Sequence, residues 1–193
     1  MFKIAITGPE SSGKTTLARQ LAARFDAPCT PEYARIYLNL LQRPYTVSDI
    51  PAIARGQVRW EDTLQILANK PEKYKSADFP PLLICDTDIL VLKIWSEFKY
   101  GHCDPYILER WRECRYDLHL LCLPDIPWAE DPLREHPAQR HELLQIYRSE
   151  LSASGVPFSE IGGSSSERLG AAVAAIMQHT QKMAKPLPNS LLH

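Results

Sequence analysis

The segment from Gly8 to Thr15 has the residue types and spacing of a phosphate-binding loop. It reads GPESSGKT and matches G-x-x-x-x-G-K-[ST]. Gly8 and Gly13 permit backbone conformations that turn successive N–H groups towards a phosphate, and the dipole of a following helix adds to the attraction. Lys14 would place its charge on the β and γ phosphates, and the Thr15 hydroxyl would ligate Mg²⁺. The motif therefore predicts binding of ATP and Mg²⁺, with contacts from Gly8, Glu10, Ser11, Ser12, Gly13, Lys14, Thr15 and Thr16.

Three carboxylates are candidates for holding the metal and for accepting a proton. Asp86 follows the apolar run Leu82–Cys85, so it would lie at the carboxyl end of a buried strand, where parallel sheets bind ligands. It would hold Mg²⁺ or act as the general base, and Asp88 would contact substrate in the same crevice. Glu32 is the rival base and a further candidate for substrate binding. The simpler alternatives are helix N-caps for Asp86 and Asp88 and a helix-dipole role for Glu32.

The segment 124–140 is rich in proline and polar residues, which is typical of a mobile loop rather than of a core element. Such a loop would close over ATP as a lid and exclude water. Arg134 and Arg140 would then meet the charge that develops on the transferring phosphoryl group, so both are candidate catalytic residues. The alternative is that both arginines are solvated surface charges.

Aromatic residues near these carboxylates are candidates for binding the acceptor. Trp60 precedes Glu61, Trp95 follows Asp88, and Tyr33 follows the candidate base. A planar, cationic acceptor would be held by ring stacking and cation–π attraction. For each of these aromatic side chains, burial in the hydrophobic core is the competing interpretation.

The elements that must position these residues alternate between strand and helix. The apolar runs predict strands at Phe2–Thr7, Ala27–Thr30, Leu82–Cys85, Leu118–Leu123 and Pro157–Ile161. Helical periodicity begins at Lys14 and predicts further helices at Tyr33–Leu41, Asp49–Asn69, Thr87–Phe98, Ala138–Leu151 and Ser164–Met183. Because the strands lack polar alternation and are separated by helices, they predict a parallel sheet covered on both faces. We therefore expect a three-layer α/β P-loop NTPase fold with a parallel five-stranded sheet and a lid.

Composition limits the remaining possibilities. The chain has 193 residues and a formal net charge of -1, which indicates one domain over 1–183 with a flexible tail at 184–193 and excludes the broad basic field of a nonspecific nucleic-acid binder. No apolar run predicts a membrane span or a signal peptide, so we expect a cytoplasmic protein. The 5 cysteines lack a CxxC spacing, so neither a disulfide framework nor a zinc site is indicated. The oligomeric state stays open.

Five segments together resemble one known family. GPESSGKTTLARQLA, TPEYAR, LLICDTDIL with Trp95 after it, YDLHLLCLPDIPWAEDPLREHPAQR and IGGSSSERL are similar to the ribosylnicotinamide kinase domain of bacterial NadR proteins, a P-loop kinase domain. The resemblance extends from Phe2 to about Met183. It implies ATP- and Mg²⁺-dependent phosphorylation of the 5′-hydroxyl of nicotinamide riboside, a small-molecule substrate, to nicotinamide mononucleotide for NAD salvage.

The resemblance also assigns roles to matching positions. It implies that Gly8–Thr15 bind the phosphates, that Asp86 and Asp88 serve metal, base or ribose contacts, and that Arg134 and Arg140 belong to the lid. Pro132 stands where the family commonly has a glycine two residues before the lid arginine, so the lid backbone would differ from the family pattern. Two alternatives stay open: a kinase for another nucleoside or small metabolite, and a regulatory module switched by ATP hydrolysis.

Overall fold

The computed structural model describes residues 1–68, 80–113 and 116–184. The strands are β1 (Phe2–Thr7), β2 (Cys29–Thr30), β3 (Leu82–Asp86), β4 (Leu118–Cys122) and β5 (Phe158–Ile161). The helices are α1 (Lys14–Phe25), α2 (Tyr33–Leu40), α3 (Asp49–Ala68), α4 (Ile89–Tyr100), α5 (Pro105–Arg112), α6 (Arg140–Ser154) and α7 (Ser165–Ala184). Of the predicted tail 184–193, Ala184 is the last residue of α7, and residues 185–193 lie outside the described residues. Asn69, the predicted end of the helix that begins at Asp49, also lies outside them.

The five strands form one parallel sheet in the order β2-β3-β1-β4-β5. Strand β1 lies at its centre, and its Ile6 pairs with Asp86 of β3. Because parallel strands end at the same edge, the loop after β1 and the carboxylate that ends β3 meet there. The predicted fold class, with five parallel strands and helices on both faces, is confirmed.

Two apolar layers cover the sheet. Residues of α1 and α7, among them Leu17, Leu21 and Ile176, pack on one face against Ile4 and Ile6 of β1. Helices α3, α4, α5 and α6 form a second buried cluster, which includes Ile53, Leu90, Ile107 and Leu144. None of the helices in the described part of the chain combines the length and apolarity that a bilayer crossing needs.

Several helix ends differ from the prediction, as in α6, which covers Arg140–Ser154 where Ala138–Leu151 was predicted. Two further differences have a local chemical cause. Helix α4 starts at Ile89 rather than at Thr87, because Thr87 has a φ of 70° and the Asp88 side chain accepts the N–H of Val91 as the N-cap. Helix α5 was not predicted, although Asp104 caps it and Pro105 lies at its first turn. An acidic cap followed by proline is a recognised helix-start pattern, so the signal was present.

Candidate active site

The phosphate-binding loop connects β1 to α1, and both of its glycines are structurally required. Gly8 has a φ of 131°, and a Cβ there would lie 2.6 Å from the carbonyl oxygen of Cys122. Gly13 has a φ of 82° where α1 begins. Any side chain would strain the backbone at both positions, so the loop keeps the close, N–H-lined cradle that phosphate binding needs.

One large pocket is lined by every residue from Gly8 to Thr16. All the nucleotide contacts predicted from the motif therefore face the same space. Within it, Lys14 Nζ donates to the carbonyls of Gly8 and Pro9 at 2.8 and 2.7 Å. The ammonium group thus lies across the mouth of the loop, at the position where a triphosphate would enter.

Asp86 and Thr15 have the chemistry of a partial magnesium site. Asp86 is 4% exposed, and its Oδ1 is buried without a hydrogen-bond partner. Burial raises its pKa to about 6, while its hydrogen bond with the Thr15 hydroxyl acts in the opposite direction. Mg²⁺ is usually held by one or two protein oxygens together with phosphates and waters, so this pair fits a nucleotide-bound ion. Among the described residues, no cluster of three or more His, Cys, Asp or Glu offers a separate metal site.

Glu32 lines the pocket and lies at the N-cap of α2. The backbone N–H of Tyr33 donates to Gln57 Oε1 at 3.0 Å, which fixes the start of the helix. Arg35 contacts Glu32 Oε2 at 3.4 Å through Nε and donates to Asp131 at 2.9 Å through Nη1. Glu32 is therefore an accessible carboxylate, whereas Asp86 is not among the lining residues.

The far half of the pocket is aromatic and aliphatic. Trp95 lines it together with Leu38, Tyr45, Val91 and Phe98. The indole N–H of Trp95 donates to the Tyr45 hydroxyl at 3.1 Å, and the two rings meet edge to face at 5.0 Å. Trp95 thus lies on a pocket wall suited to a flat ring.

Tyr33 and Trp60 do not line this pocket. The centroids of their rings are 6.3 Å apart, and the Trp60 side chain, on α3, is 39% exposed. The neighbouring Glu61 points inward instead, since it is fully buried and pairs with Lys3 at 2.6 Å. Adjacent residues of a helix face different directions, which corrects the expectation that sequence proximity to Glu61 would place Trp60 in the substrate pocket.

Asp88 also lies outside the pocket. It is fully buried, its Oδ1 accepts hydrogen bonds from the Thr7 hydroxyl and the Val91 N–H, and its Oδ2 is 2.9 Å from His119 Nε2. These contacts leave no face of the carboxylate towards the ligand space. The expected substrate contact is therefore corrected to the helix-cap role that was its alternative.

The lid segment packs directly on the phosphate-binding loop. The Glu10 carboxylate accepts the N–H groups of Glu135 and His136, each at 2.9 Å. The Ser11 hydroxyl accepts the N–H of Ala129 at 3.0 Å, and Arg134, which lines the pocket, donates to the Ala129 carbonyl. Glu10 therefore holds the lid, a role that the loop motif alone does not indicate.

Arg140 does not face the pocket. It is 9% exposed, and its guanidinium donates to the carbonyls of Ser11 and Ile126 at 3.2 and 2.9 Å. The expected contact with the phosphoryl group is corrected to a backbone contact, because Arg140 opens helix α6 behind the loop. Several lining residues, among them Tyr45 and Glu135, were not predicted from the sequence as site residues. Only their proximity to the predicted base and lid could have indicated them.

Comparisons with known proteins agree with this architecture. A family model described as an AAA domain matches residues 3–168. The trifunctional NAD biosynthesis/regulator protein NadR of Escherichia coli K12 is 28% identical over 164 residues, which are 82% of this chain and 37% of the relative. NadR of Salmonella typhimurium LT2 is 31% identical over 135 residues, 68% of this chain and 30% of the relative. The chain spans about a third of the length of these curated relatives.

Solved structures share the fold. A NadR protein crystallised in complex with NR has a TM-score of 0.73 at 22% identity, covering 93% of this chain and 50% of that one. A deoxyadenosine kinase from M. mycoides has a TM-score of 0.55 at 12% identity, covering 92% of this chain and all of the other. With the matched family model spanning the sheet, the phosphate loop and the lid, the chain belongs to the AAA domain family as a P-loop domain of the NadR type.

Proposed function

We propose that this protein is an ATP- and Mg²⁺-dependent kinase that phosphorylates the 5′-hydroxyl of nicotinamide riboside to give nicotinamide mononucleotide. The carrying observation is that a single pocket joins the phosphate-binding loop to an aromatic wall, with Glu32 lining the same space. Phosphoryl transfer needs this arrangement, because the γ-phosphate and the acceptor hydroxyl must be held together in line.

The residues of the pocket suit the separate parts of the reaction. The loop amides and Lys14 bind the triphosphate, while Thr15 and Asp86 would hold Mg²⁺, which neutralises charge on the β and γ phosphates when bound. Glu32 accepts the proton of the 5′-hydroxyl as its oxygen bonds to the γ-phosphorus and ADP departs. Arg134 stabilises the negative charge on the transferring group. These roles leave Arg140 and Asp88 away from the reacting atoms.

The proposed acceptor is supported by the chemistry of the aromatic half and by similarity. Nicotinamide riboside carries a flat pyridinium cation, and the face of Trp95 favours such a ring through stacking and cation–π attraction. A NadR protein of the same fold has been crystallised with NR, the abbreviation of nicotinamide riboside.

The test is a coupled ADP-release assay with Mg²⁺-ATP and nicotinamide riboside, run beside uridine, cytidine, deoxyadenosine and a reaction without acceptor. We expect turnover with nicotinamide riboside well above the others, and Lys14→Ala should abolish it without changing the far-UV circular dichroism. Preference for another nucleoside would keep the kinase and change the acceptor. Equal ADP release without any acceptor would overturn the kinase and favour a regulatory ATPase.

A further inference from the structure

Two buried arginines, neither of which lines the ligand pocket, contact the backbone of the phosphate-binding loop. Arg140 reaches it from the first turn of α6, and Arg168 reaches it from α7, with exposed fractions of 9% and 5%. Arg140 Nη2 donates to the Ser11 carbonyl at 3.2 Å, and Arg168 Nη1 donates to the Ser12 carbonyl at 2.9 Å. Two successive peptide groups of the loop are therefore each bound by a guanidinium.

The remaining contacts of these arginines are with neighbouring backbone and with one carboxylate, while Arg140 Nε is buried without a hydrogen-bond partner. Arg140 also donates to the Ile126 carbonyl at 2.9 Å. Arg168 donates to the carbonyls of Leu123 and Gly163, both at 2.8 Å, and pairs with Asp125. Neither arginine lines the ligand pocket. Their geometry is that of residues that hold the backbone, and it differs from that of Arg134, which does line the pocket.

The contacts with the Ser11 and Ser12 carbonyls also set the direction of the N–H groups in the same peptides. The described chain has no cis peptide bond, and in a trans peptide the C=O and the next N–H point in opposite directions. A guanidinium that draws the Ser11 carbonyl outward therefore directs the N–H of Ser12 inward. The contact with the Ser12 carbonyl does the same for the N–H of Gly13. Inward N–H groups are what binds a phosphate in such a loop.

The loop also needs support, because its backbone is not in a relaxed conformation. Ser11 has a φ of 51°, which is uncommon for a residue with a side chain. Alternation of right- and left-handed backbone conformations creates an anion-binding concavity, but it persists only if the surroundings hold it. Charged hydrogen bonds to buried carbonyls are strong enough to hold it.

We propose that Arg140 and Arg168 are positioning residues that hold the Ser11 and Ser12 carbonyls outward, so that the loop is preorganised to bind the β-phosphate region of a nucleotide. The inference rests on the proposed nucleotide site and deepens it. It also links nucleotide affinity to α7 and to the base of the lid, because Arg168 and Arg140 extend from those elements. A loop that is held before binding loses less entropy when the phosphate arrives.

The experiment measures binding of Mg²⁺-ADP and of the Mg²⁺-bound β,γ-imido analogue of ATP by calorimetry, with Arg140→Met and Arg168→Met compared with wild type. We expect each variant to bind both nucleotides roughly tenfold more weakly, the scale of one charged hydrogen bond. The ratio between the two affinities should stay as in wild type, because the loop and not the γ-phosphate has lost a contact. Arg148→Met is the matched control: this arginine lies on α6 but pairs with Glu160 on the surface, so its affinities should equal wild type.

Lysine variants keep the test valid if methionine prevents folding. Arg140→Lys and Arg168→Lys retain the charge but offer a single donor site, so we expect affinities between those of wild type and the methionine variants. Folded variants that bind both nucleotides as wild type does would overturn the inference. Loss of affinity for the ATP analogue alone would overturn it too, since it would indicate direct contact with the γ-phosphate. A wild-type protein that binds neither nucleotide would overturn both this inference and the proposed function.

Discussion

Asp86 and Glu32, the candidates for binding the metal and accepting the proton, differ in what surrounds them. Asp86 is buried at the end of β3, its pKa is raised to about 6 by desolvation, and it bonds the Thr15 hydroxyl. Glu32 lies on the pocket surface beside Arg35. A bound cation would favour the ionised form of Asp86, whereas Glu32 is accessible to an acceptor hydroxyl. We therefore propose Asp86 as the metal ligand and Glu32 as the general base.

Substitution of each carboxylate by its amide separates these two roles. Glu32→Gln should lower kcat by about 10²–10⁴-fold with little change in ATP affinity, because only the general base is lost. Asp86→Asn should raise the Mg²⁺ concentration for half-maximal rate by about tenfold or more. Steady-state kinetics over a magnesium titration measure both quantities. If Asp86→Asn instead lost kcat at saturating Mg²⁺ while Glu32→Gln stayed active, the two assignments would be reversed.

Trp95 and Trp60 form a matched pair, because one lines the pocket and the other does not. Trp95→Ala should raise the KM for nicotinamide riboside by roughly tenfold, since a desolvated cation–π contact contributes about 1–2 kcal/mol. Trp60→Ala should leave this KM unchanged. The measurement is the KM of each variant at saturating ATP. Equal effects of both substitutions would contradict the proposed orientation of the acceptor.

Element boundaries depend on caps, and Asp88 shows how a cap can resemble an active-site residue. It ends the DTD sequence at the sheet edge, where open α/β folds place their ligands. In the structure it caps α4 and joins β1 to β4 through Thr7 and His119. Sequence spacing predicted that Asp86 and Asp88 lie near the site. It could not predict which of the two side chains caps the following helix. The φ of 70° at Thr87 decides this, and β-branched residues rarely adopt that conformation.

Replacement of Asp88 should therefore lower the stability of the fold and leave substrate binding unchanged. Asp88→Asn weakens a buried set of hydrogen bonds and should lower the free energy of unfolding by about 1–3 kcal/mol. Its KM for nicotinamide riboside should remain that of wild type. Urea denaturation followed by circular dichroism measures the first quantity. Asp104→Asn is the control, because asparagine also serves as an N-cap and α5 should keep its stability. A raised KM with unchanged stability would restore Asp88 to the substrate site.

For the whole molecule, the order of motifs along the chain determined most of the prediction. Apolar runs identified β1, β3 and β4, and the glycine–lysine spacing identified the loop, whereas the short β2 and the partly polar β5 contain no such run. The aromatic wall required tertiary structure, because Tyr45 and Trp95 meet across 50 residues of sequence. The same applies to Arg140 and Arg168: an arginine near a predicted lid has the same sequence appearance whether it faces a phosphate or a backbone carbonyl. The direction in which such a side chain points is set by tertiary packing, whereas its proximity to the lid can be predicted from the sequence.

The lid is linked to the candidate base through the ion pair between Arg35 and Asp131. Arg35 contacts the candidate base as well as the lid carboxylate, at 3.4 and 2.9 Å. Closure of the lid would thus be coupled to the position of Glu32, and it would exclude water while the acceptor is bound. The pair is partly exposed, with the Arg35 side chain 41% accessible, so its contribution is modest.

Asp131→Asn should therefore increase ATP hydrolysis relative to phosphoryl transfer. Loss of a partly exposed ion pair contributes up to about 1 kcal/mol, which corresponds to an increase of up to about fivefold in hydrolysis without acceptor. The assay compares ADP release with phosphorylated product in the presence and absence of nicotinamide riboside. Glu130→Gln removes the adjacent, exposed lid carboxylate and should leave the ratio unchanged. If both variants have the wild-type ratio of ATP hydrolysis to phosphorylated product, the Arg35–Asp131 pair does not control access of water. If only Asp131→Asn shows increased hydrolysis, this ion pair couples the lid to the base.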